Sequence, residues 1–449
     1  MKKKILSSVI VVVMLLSISL TGCSTTPSTT PTTTPTTTPE GTSEPAKTVT
    51  IEFIHSQPEE ERVTAIQKNI DEFVAKNPGI EVKQVPVPED SYMTKLTTLI
   101  SSQKLPAIME SNIDWGRLLN SEGVLDTKAH TEIITGKGKD SFFKGALEIL
   151  QAPDKAEYIG VPVSGWVAGI WYNKALFAEK GLEAPTTWAN ILNAAKALND
   201  PANKKYGIVF ATEESDFTEQ TFTQIALSNN AELFDADGKP KFNSPEMKEA
   251  IQFYKDLYKY SPQGSNGVTQ VKDAFVGGNA AMGIYSTYIM GALYEQGMAD
   301  KIGFTVPENK SAAGFGMLTT LAISNMISPE EREAAKKFIS FMLEKQSNIA
   351  WLHMSPGGAN PVLKEIASDE QYKSHELLKA FGETSSKVPE AFNELKMLGF
   401  QNGKSHPKMG NITAKLVIPK ALNAILVQNA NIDKEIEKAQ KSMEQIVNE

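Results

Sequence analysis

Histidine, cysteine, serine and paired carboxylates are the side chains able to carry covalent or metal chemistry in this 449-residue chain. Their spacing argues against most of it. His55, His130, His353, His375 and His406 lie far apart, and none sits in a close metal-ligand pair. Cys23 is the only cysteine, which excludes disulfides, a cysteine-based zinc site and cysteine catalysis in the mature fold. No GxxxxGK[ST] phosphate loop is present, and Gly314 and Gly316 lack the third glycine of a dinucleotide fingerprint. Ser164, in Pro162-Val163-Ser164-Gly165, lacks the preceding glycine of a nucleophile elbow. Asp235-Ala236-Asp237-Gly238 places its glycine at loop position four rather than six, so it reads as a surface turn before Phe242 and not a calcium loop. A glycosidase carboxylate pair has no sequence signature and stays open as an alternative. No metal, cofactor or catalytic residue is expected.

The chain begins with Lys2, Lys3 and Lys4, then an apolar stretch from Ile5 to Leu20 broken by four serines. That run is too short and too serine-rich to cross a membrane stably, and reads as a signal peptide over residues 1–22. Leu20-Thr21-Gly22-Cys23 resembles the bacterial lipobox, which implies lipidation of Cys23 and anchoring on the extracytoplasmic face of the membrane. Residues 24–47 are almost all Thr, Pro and Ser and have nothing to bury, so they are expected to form an extended spacer reaching about 70 Å. Loss of residues 1–22 removes three lysines and no acid, taking the formal charge from −8 to −11. Such an acidic chain is a poor partner for nucleic acid.

About 400 residues remain, more than one core usually serves, so two lobes are expected. Val49, Ile51 and Phe53 alternate along a first strand over 48–54. A helix over 59–77 follows, with Val63, Ile66, Ile70, Phe73 and Val74 on one stripe, stopped by Asn77-Pro78-Gly79. A second strand over 80–87 and a second helix over 91–103 complete a βαβα opening, which points to a parallel sheet with covering helices. Residues 110–120 read as a loop running into a short helix. Thr187, Ser244 and Ser328 cap later helices, with Glu331 placed to complete a capping box. Two strand-like stretches, 158–172 and 301–307, are the candidates for crossings between lobes.

Tyr158-Ile159-Gly160-Val161-Pro162-Val163, then Trp171-Tyr172-Asn173-Lys174-Ala175-Leu176-Phe177, Gly181-Leu182 and Pro185-Thr186-Thr187-Trp188, resemble the family 1 extracellular solute-binding proteins. Asn243-Ser244-Pro245-Glu246, Phe275-Val276-Gly277-Gly278-Asn279-Ala280-Ala281-Met282 and Gly357-Gly358-Ala359-Asn360-Pro361 extend the match in order across the mature chain. Pro106-Ala107-Ile108 departs from the Pro-Asp of many relatives. The resemblance implies an α/β, two-lobed periplasmic-binding-protein-like fold with hinge strands and a ligand cleft between the lobes. The lobes would be 49–161 with 304–357, and 162–303 with 358–449. It also implies a non-enzymatic receptor, expected as a monomer, that closes on its ligand and is recognised by ABC permease subunits in the membrane.

A carbohydrate presents hydroxyls on its rim and C–H patches on its faces, so a sugar site needs aromatic rings together with amide and carboxylate groups. Trp166 lies in the insert between Pro162 and Tyr172 where the family faces its cleft, with Gly165, Ala168 and Gly169 expected to leave room beside it. Asp114 and Trp115 fall where relatives supply rim hydrogen bonds, and Tyr285 and Tyr288 where they stack a sugar. His55, Ser56 and Gln57 end the first strand, the edge where ligands bind open α/β sheets. Phe217 and Gln220 match in position only. Gly357 and Gly358 are expected to let backbone approach the ligand or to bend a crossing. Trp171, Trp188 and Trp351 are assigned to packing. Rings on several loops favour an oligosaccharide. A non-sugar solute, a surface-attached glycoside hydrolase and a sensor without an import role are the alternatives.

Overall fold

The computed structural model describes residues 48–152, 157–401 and 404–449, with the side chain of Lys404 excepted. The expected signal peptide over 1–22, the expected lipidation site Cys23 and the expected spacer over 24–47 lie outside the described residues. Among the described residues no helix is long and apolar enough to cross a membrane.

Strand β1 (Val49–His55) pairs in parallel with β2 (Ile80–Pro86) and with β3 (Ile108–Ser111). Helix α1 (Glu60–Lys76) buries Ile66, Ile70 and Phe73 from its apolar stripe, with acids in its first turn and Lys76 in its last to suit the helix dipole. Helix α2 (Glu89–Ser101) buries Tyr92 and Leu96. Of the loop and short helix expected over 110–120, the helix is α3 (Ile113–Ser121), while the segment before it is the end of β3 rather than a loop. All four residues of β3 are buried, because the strand is central and covered on both faces, and that environment hides the alternation by which strands are read.

The long strand β4 (Val161–Asn173) runs antiparallel to β5 (Met282–Ser286), β6 (Ile302–Thr305) and β7 (Phe315–Ile323). The sheet order is β2-β1-β3-β7-β4-β5, with β6 also on β4. Strand β7 pairs with β3 through Ile323 to Thr320 and with β4 from Val161 to Ala168. The two strands joining the halves of the sheet are therefore β4 and β7. The expectation for 158–172 corresponds to β4, and the stretch expected at 301–307 contains β6, which pairs with the Ile170–Asn173 end of β4. Register shifts between Pro162 and Ser164, where proline cannot donate to the ladder and a bulge absorbs the defect.

Buried side chains form two clusters. One contains Ile51, Phe53, Phe73, Leu318, Phe338 and Trp351 and extends through β4 and β7 to residues 285–304 and 362–395. The other contains Ile170, Phe210, Phe222, Tyr254, Leu422 and Met443. Three side chains fasten the crossing strands. His130 accepts from Ile323 N at 2.7 Å through Nε2 and so donates through Nδ1 to the Tyr158 carbonyl at 2.9 Å. Burial pushes this imidazole down to about 4, which keeps it neutral in the tautomer those bonds require. Trp351 Nε1 donates to Ser164 Oγ at 3.0 Å, and Asn348 Nδ2 to the Val163 carbonyl at 2.9 Å. Ser328 and Glu331 form the reciprocal capping box at the start of the Pro329–Met342 helix. Trp171 packs on Phe304 and Phe381, and Trp188 stacks on Phe253 with centroids 4.1 Å apart.

Candidate functional site

Parallel strands end at a common edge, so the residues just beyond β1, β2 and β3 converge there. Ser56 and Gln57 follow β1, Pro88 and Glu89 follow β2, and Glu110 and Asn112 flank the end of β3. All six line one cavity of about 320 Å³. Its remaining walls come from Trp115 of α3, from Trp166 of β4, from Tyr288 beyond β5 and from Met317 to Thr319 of β7. The cavity thus lies where the β1–β3 edge meets the crossing strands.

Glu110 organises the floor. Its Oε2 accepts from Ser56 N at 2.7 Å and Ser56 Oγ at 3.2 Å, and its Oε1 accepts from Gln57 Nε2 at 2.7 Å. Arg62, at the start of α1, donates to Gln57 Oε1. Burial raises the Glu110 carboxyl above its ordinary value, while the Gln57 and Ser56 bonds and nearby Arg62 oppose the rise. The Tyr92 hydroxyl holds the strand beneath it, reaching the Ile54 carbonyl at 3.1 Å and the Glu110 carbonyl at 2.6 Å.

Aromatic rings form the walls. Trp115 stacks on Tyr92 with centroids 5.0 Å apart, and the side chain of Asn112 caps α3 by accepting from Trp115 N at 2.9 Å. Trp166 meets Phe315 edge-on at 5.7 Å and stands 6.5 Å from Tyr288. Tyr288 is 56% exposed, unusual for so large a ring and fitting for one that faces a cavity. Its backing is a staple centred on Asn360. The Asn360 backbone exchanges hydrogen bonds with Gly165 at 2.7 and 3.1 Å, and its side chain donates to Thr287 Oγ1 and to the Gly357 carbonyl.

Of the residues expected from sequence, Ser56, Gln57, Trp115, Trp166 and Tyr288 come together in this cavity. The others take different places. His55 is wholly buried, accepting from Gln57 N at Nδ1 and bonded through Nε2 to Gln84, so it braces the edge from behind. Tyr285 and Phe217 are buried edge-on against each other, 5.3 Å apart, because the register of β5 turns Tyr285 away from the side Tyr288 reaches. Gln220 reaches Asp216 at 3.5 Å. Asp114 sits beside the cavity rather than in its wall, 3.7 Å from Arg117, with its side chain 60% exposed. The space over the flanking glycines is filled, since a Cβ on Gly165 would meet Phe392 and the Met317 carbonyl and one on Gly169 would meet Phe304, so the room beside Trp166 is the cavity itself.

Gly358 acts through Tyr288, whereas Gly357 packs against Met290 and Leu377. A Cβ on Gly358 would come within 2.6 Å of the Tyr288 ring and 2.5 Å of Ser355 Oγ. Gly358→Ala is therefore expected to push the ring from its seat and weaken ligand binding by about 1 kcal/mol, roughly fivefold, as overpacking does. Titration calorimetry on the variant, with circular dichroism to confirm folding, checks this.

Sequence reading missed Glu110, Arg62 and the Met317–Thr319 wall. A glutamate placed directly after the apolar pair Ile108-Met109 was the available signal. Among the described residues no group of three or more His, Cys, Asp or Glu could hold a metal. The Asp235–Gly238 segment is a turn in which the Asp235 carboxylate accepts from Asp237 N and Lys239 N.

Residues 57–349 match the family described as bacterial extracellular solute-binding protein. A relative in Escherichia coli (strain K12), YcjN, named for a periplasmic-binding protein of an ABC transporter, is 42% identical over 89% of this chain and 93% of its own length. Among solved structures, the cyclic alpha-maltosyl-1,6-maltose binding protein of Arthrobacter globiformis superposes with a TM-score of 0.72 at 20% identity, over 89% of this chain and 99% of that one. A solute-binding protein of Agrobacterium radiobacter K84 in complex with ribitol gives 0.63 at 22% identity, over 90% and 100%. Both have the two-lobed α/β fold. The family match over 57–349 and the 42% identity over 89% of the chain make this protein a member of the bacterial extracellular solute-binding family, a binding protein and not an enzyme.

Proposed function

We propose that this chain is the receptor of an ABC importer, and that it collects a small neutral carbohydrate or polyol from outside the membrane. The observation that carries the reading is the combination in one cavity of three aromatic walls, Trp115, Trp166 and Tyr288, with the Glu110–Ser56–Gln57 network. Rings cover C–H faces, and the amide, hydroxyl and carboxylate atoms meet hydroxyls. At about 320 Å³ the cavity lies near the bottom of the usual 300–1,000 Å³ range for ligand pockets. That favours one or two sugar units over the longer oligosaccharide expected from sequence. The named ligands of the two structural neighbours, a cyclic maltosyl-maltose and ribitol, are of the same hydroxylated class.

In this reading the lobes are 49–161 with 304–357 and 162–303 with 358–449, hinged at β4 and β7, and the monomer closes on its ligand before meeting the permease. Cys23 carries the lipid anchor after removal of residues 1–22, and the Thr/Pro-rich segment spaces the lobes from the membrane. Titration calorimetry of the mature protein against monosaccharides, disaccharides, polyols and longer glucans tests it. Micromolar or tighter binding by a mono- or disaccharide or a polyol is expected. Binding confined to phosphorylated or cationic solutes, with none by neutral sugars, would overturn the carbohydrate reading.

A further inference from the structure

Trp166 and Tyr288 stand 6.5 Å apart in the cavity, on different elements, with their ring planes inclined at 59°. An open angle of that kind covers a ligand from two sides only while both rings keep their places. Trp166 is fixed along β4, with its edge on Phe315. Tyr288 has less to hold it. Pairing of β5 with β4 ends at Ser286 opposite Ala168, and one further bond runs from Thr287 N to the Val167 carbonyl at 2.9 Å. Tyr288 lies beyond that bond, where the chain turns into the Ile289–Glu295 helix.

One buried side chain joins the supports of both rings. Asn360 is 1% exposed and forms a bridge with Gly165, the residue before Trp166. Its Nδ2 donates to Thr287 Oγ1 at 3.1 Å, directly before Tyr288, and to the Gly357 carbonyl at 2.9 Å. A carbonyl can only accept, so the amide must turn its N–H₂ this way, and a carboxylate of the same shape cannot replace it. The bond to Gly357 holds the next residue, Gly358, whose missing Cβ leaves the space in which the Tyr288 ring sits. Asn360 therefore ties the strand of one ring to the seat of the other.

We propose that Asn360 is the positioning residue that sets the angle between Trp166 and Tyr288, and through it which carbohydrate or polyol the cavity selects. The ligand class rests on the receptor reading above; the placing of the rings does not. Rings held in place before binding need no ordering when the ligand arrives, and they refuse a ligand whose faces do not meet both. Without the Asn360 side chain, Tyr288 keeps only the last bond of the β5 ladder and a seat with no fixed floor. The pair then adapts to several ligands and holds each less tightly.

Asn360→Ala removes the side-chain ties and leaves the backbone bonds to Gly165, while Asn360→Asp keeps the volume and turns a carboxylate on the Gly357 carbonyl. Asn348→Ala is the matched control. Asn348 is equally buried, but its bonds go to the Val163 and Met342 carbonyls and none to the supports of Tyr288. Calorimetry with D-glucose, maltose, maltotriose and ribitol is paired with fluorine NMR of protein labelled with 5-fluorotryptophan. The Trp166 resonance is the one lost in Trp166→Phe. In Asn360→Ala that resonance should shift, affinity for the tightest probe should fall about 30-fold, and its margin over the next probe should shrink at least about fivefold. Asn360→Asp should fall between the native protein and alanine on each measure, and carries the same comparison should alanine not fold. Asn348→Ala should lower the melting temperature comparably yet keep both the resonance and the margin. A Trp166 resonance unmoved in Asn360→Ala, or affinities for all probes lowered by one common factor, overturns the proposal and leaves the receptor reading standing. So does an Asn348→Ala variant that moves resonance and margin as far. If none of the four probes binds the native protein, the carbohydrate reading is what fails, and the Trp166 resonance in these variants alone decides the role of Asn360.

Discussion

Trp166→Ala lowers affinity for the best sugar or polyol by about 70-fold and leaves the protein folded. The indole forms one wall of the cavity, on the crossing strand β4, and its edge rests on Phe315. Covering roughly 100 Å² of sugar face is worth about 2.5 kcal/mol, and that term disappears with the ring. Alanine also removes the neighbour that Tyr288 faces at 6.5 Å, so the opposite wall loses definition. Trp166→Phe keeps a flat face and should retain affinity to within about tenfold. Calorimetric dissociation constants for the two variants, beside their melting temperatures, separate loss of stacking from loss of fold. An alanine variant binding with an unaltered constant would remove Trp166 from the site.

Glu110→Ala has the larger structural consequence. Three donors, Ser56 N, Ser56 Oγ and Gln57 Nε2, converge on that carboxylate, and Arg62 reaches the same cluster through Gln57. Alanine leaves them without an acceptor in a position that is 3% exposed. The loss in unfolding free energy should be about 3 kcal/mol, since orphaned buried donors cost on the order of 1–3 kcal/mol each and do not add fully. Binding should fall at least about 100-fold, because Ser56 and Gln57 would no longer be held in the floor. Urea denaturation gives the first quantity and calorimetry the second. Glu110→Gln is the informative companion. It preserves volume and one acceptor but points an amide N–H₂ at a donor, so it should fall between the native protein and alanine on both measures. A Glu110→Ala protein as stable as the native one would show that the network contributes little.

The difference between these two residues is also a difference in legibility. Trp166 could be named from sequence because it falls in a variable insert between two recognisable motifs, Gly160-x-Pro162 and Trp171-Tyr172-Asn173-Lys174. Glu110 could not, because its strand has four residues, all buried, with neither alternation nor a helical stripe to announce it. His55 was a reasonable candidate at the end of β1, but position along a strand does not say which side of the sheet a side chain takes. It turned inward to Gln84 and left Ser56 and Gln57 at the edge. Tyr285 and Tyr288 illustrate the same limit. Three residues apart, one is packed against Phe217 and the other is an exposed wall of the cavity.

Local order was written into the chain. The α1 stripe, the caps at Thr187, Ser244 and Ser328, and the βαβα opening each depend on neighbours within a few residues, whose sterics and hydrogen bonds hold in any context. Motif order also sufficed for the family and the two-lobed class. What needed the assembled molecule was every relation between distant segments: β7 inserted between β3 and β4, Asn360 stapling Gly165 behind Tyr288, Glu110 gathering Ser56 and Gln57. Those pairings span from 53 residues, Gln57 to Glu110, to 215, Ile108 to Ile323, so they arise from competition among many possible partners for burial and hydrogen bonds. No local pattern encodes the winner of that competition.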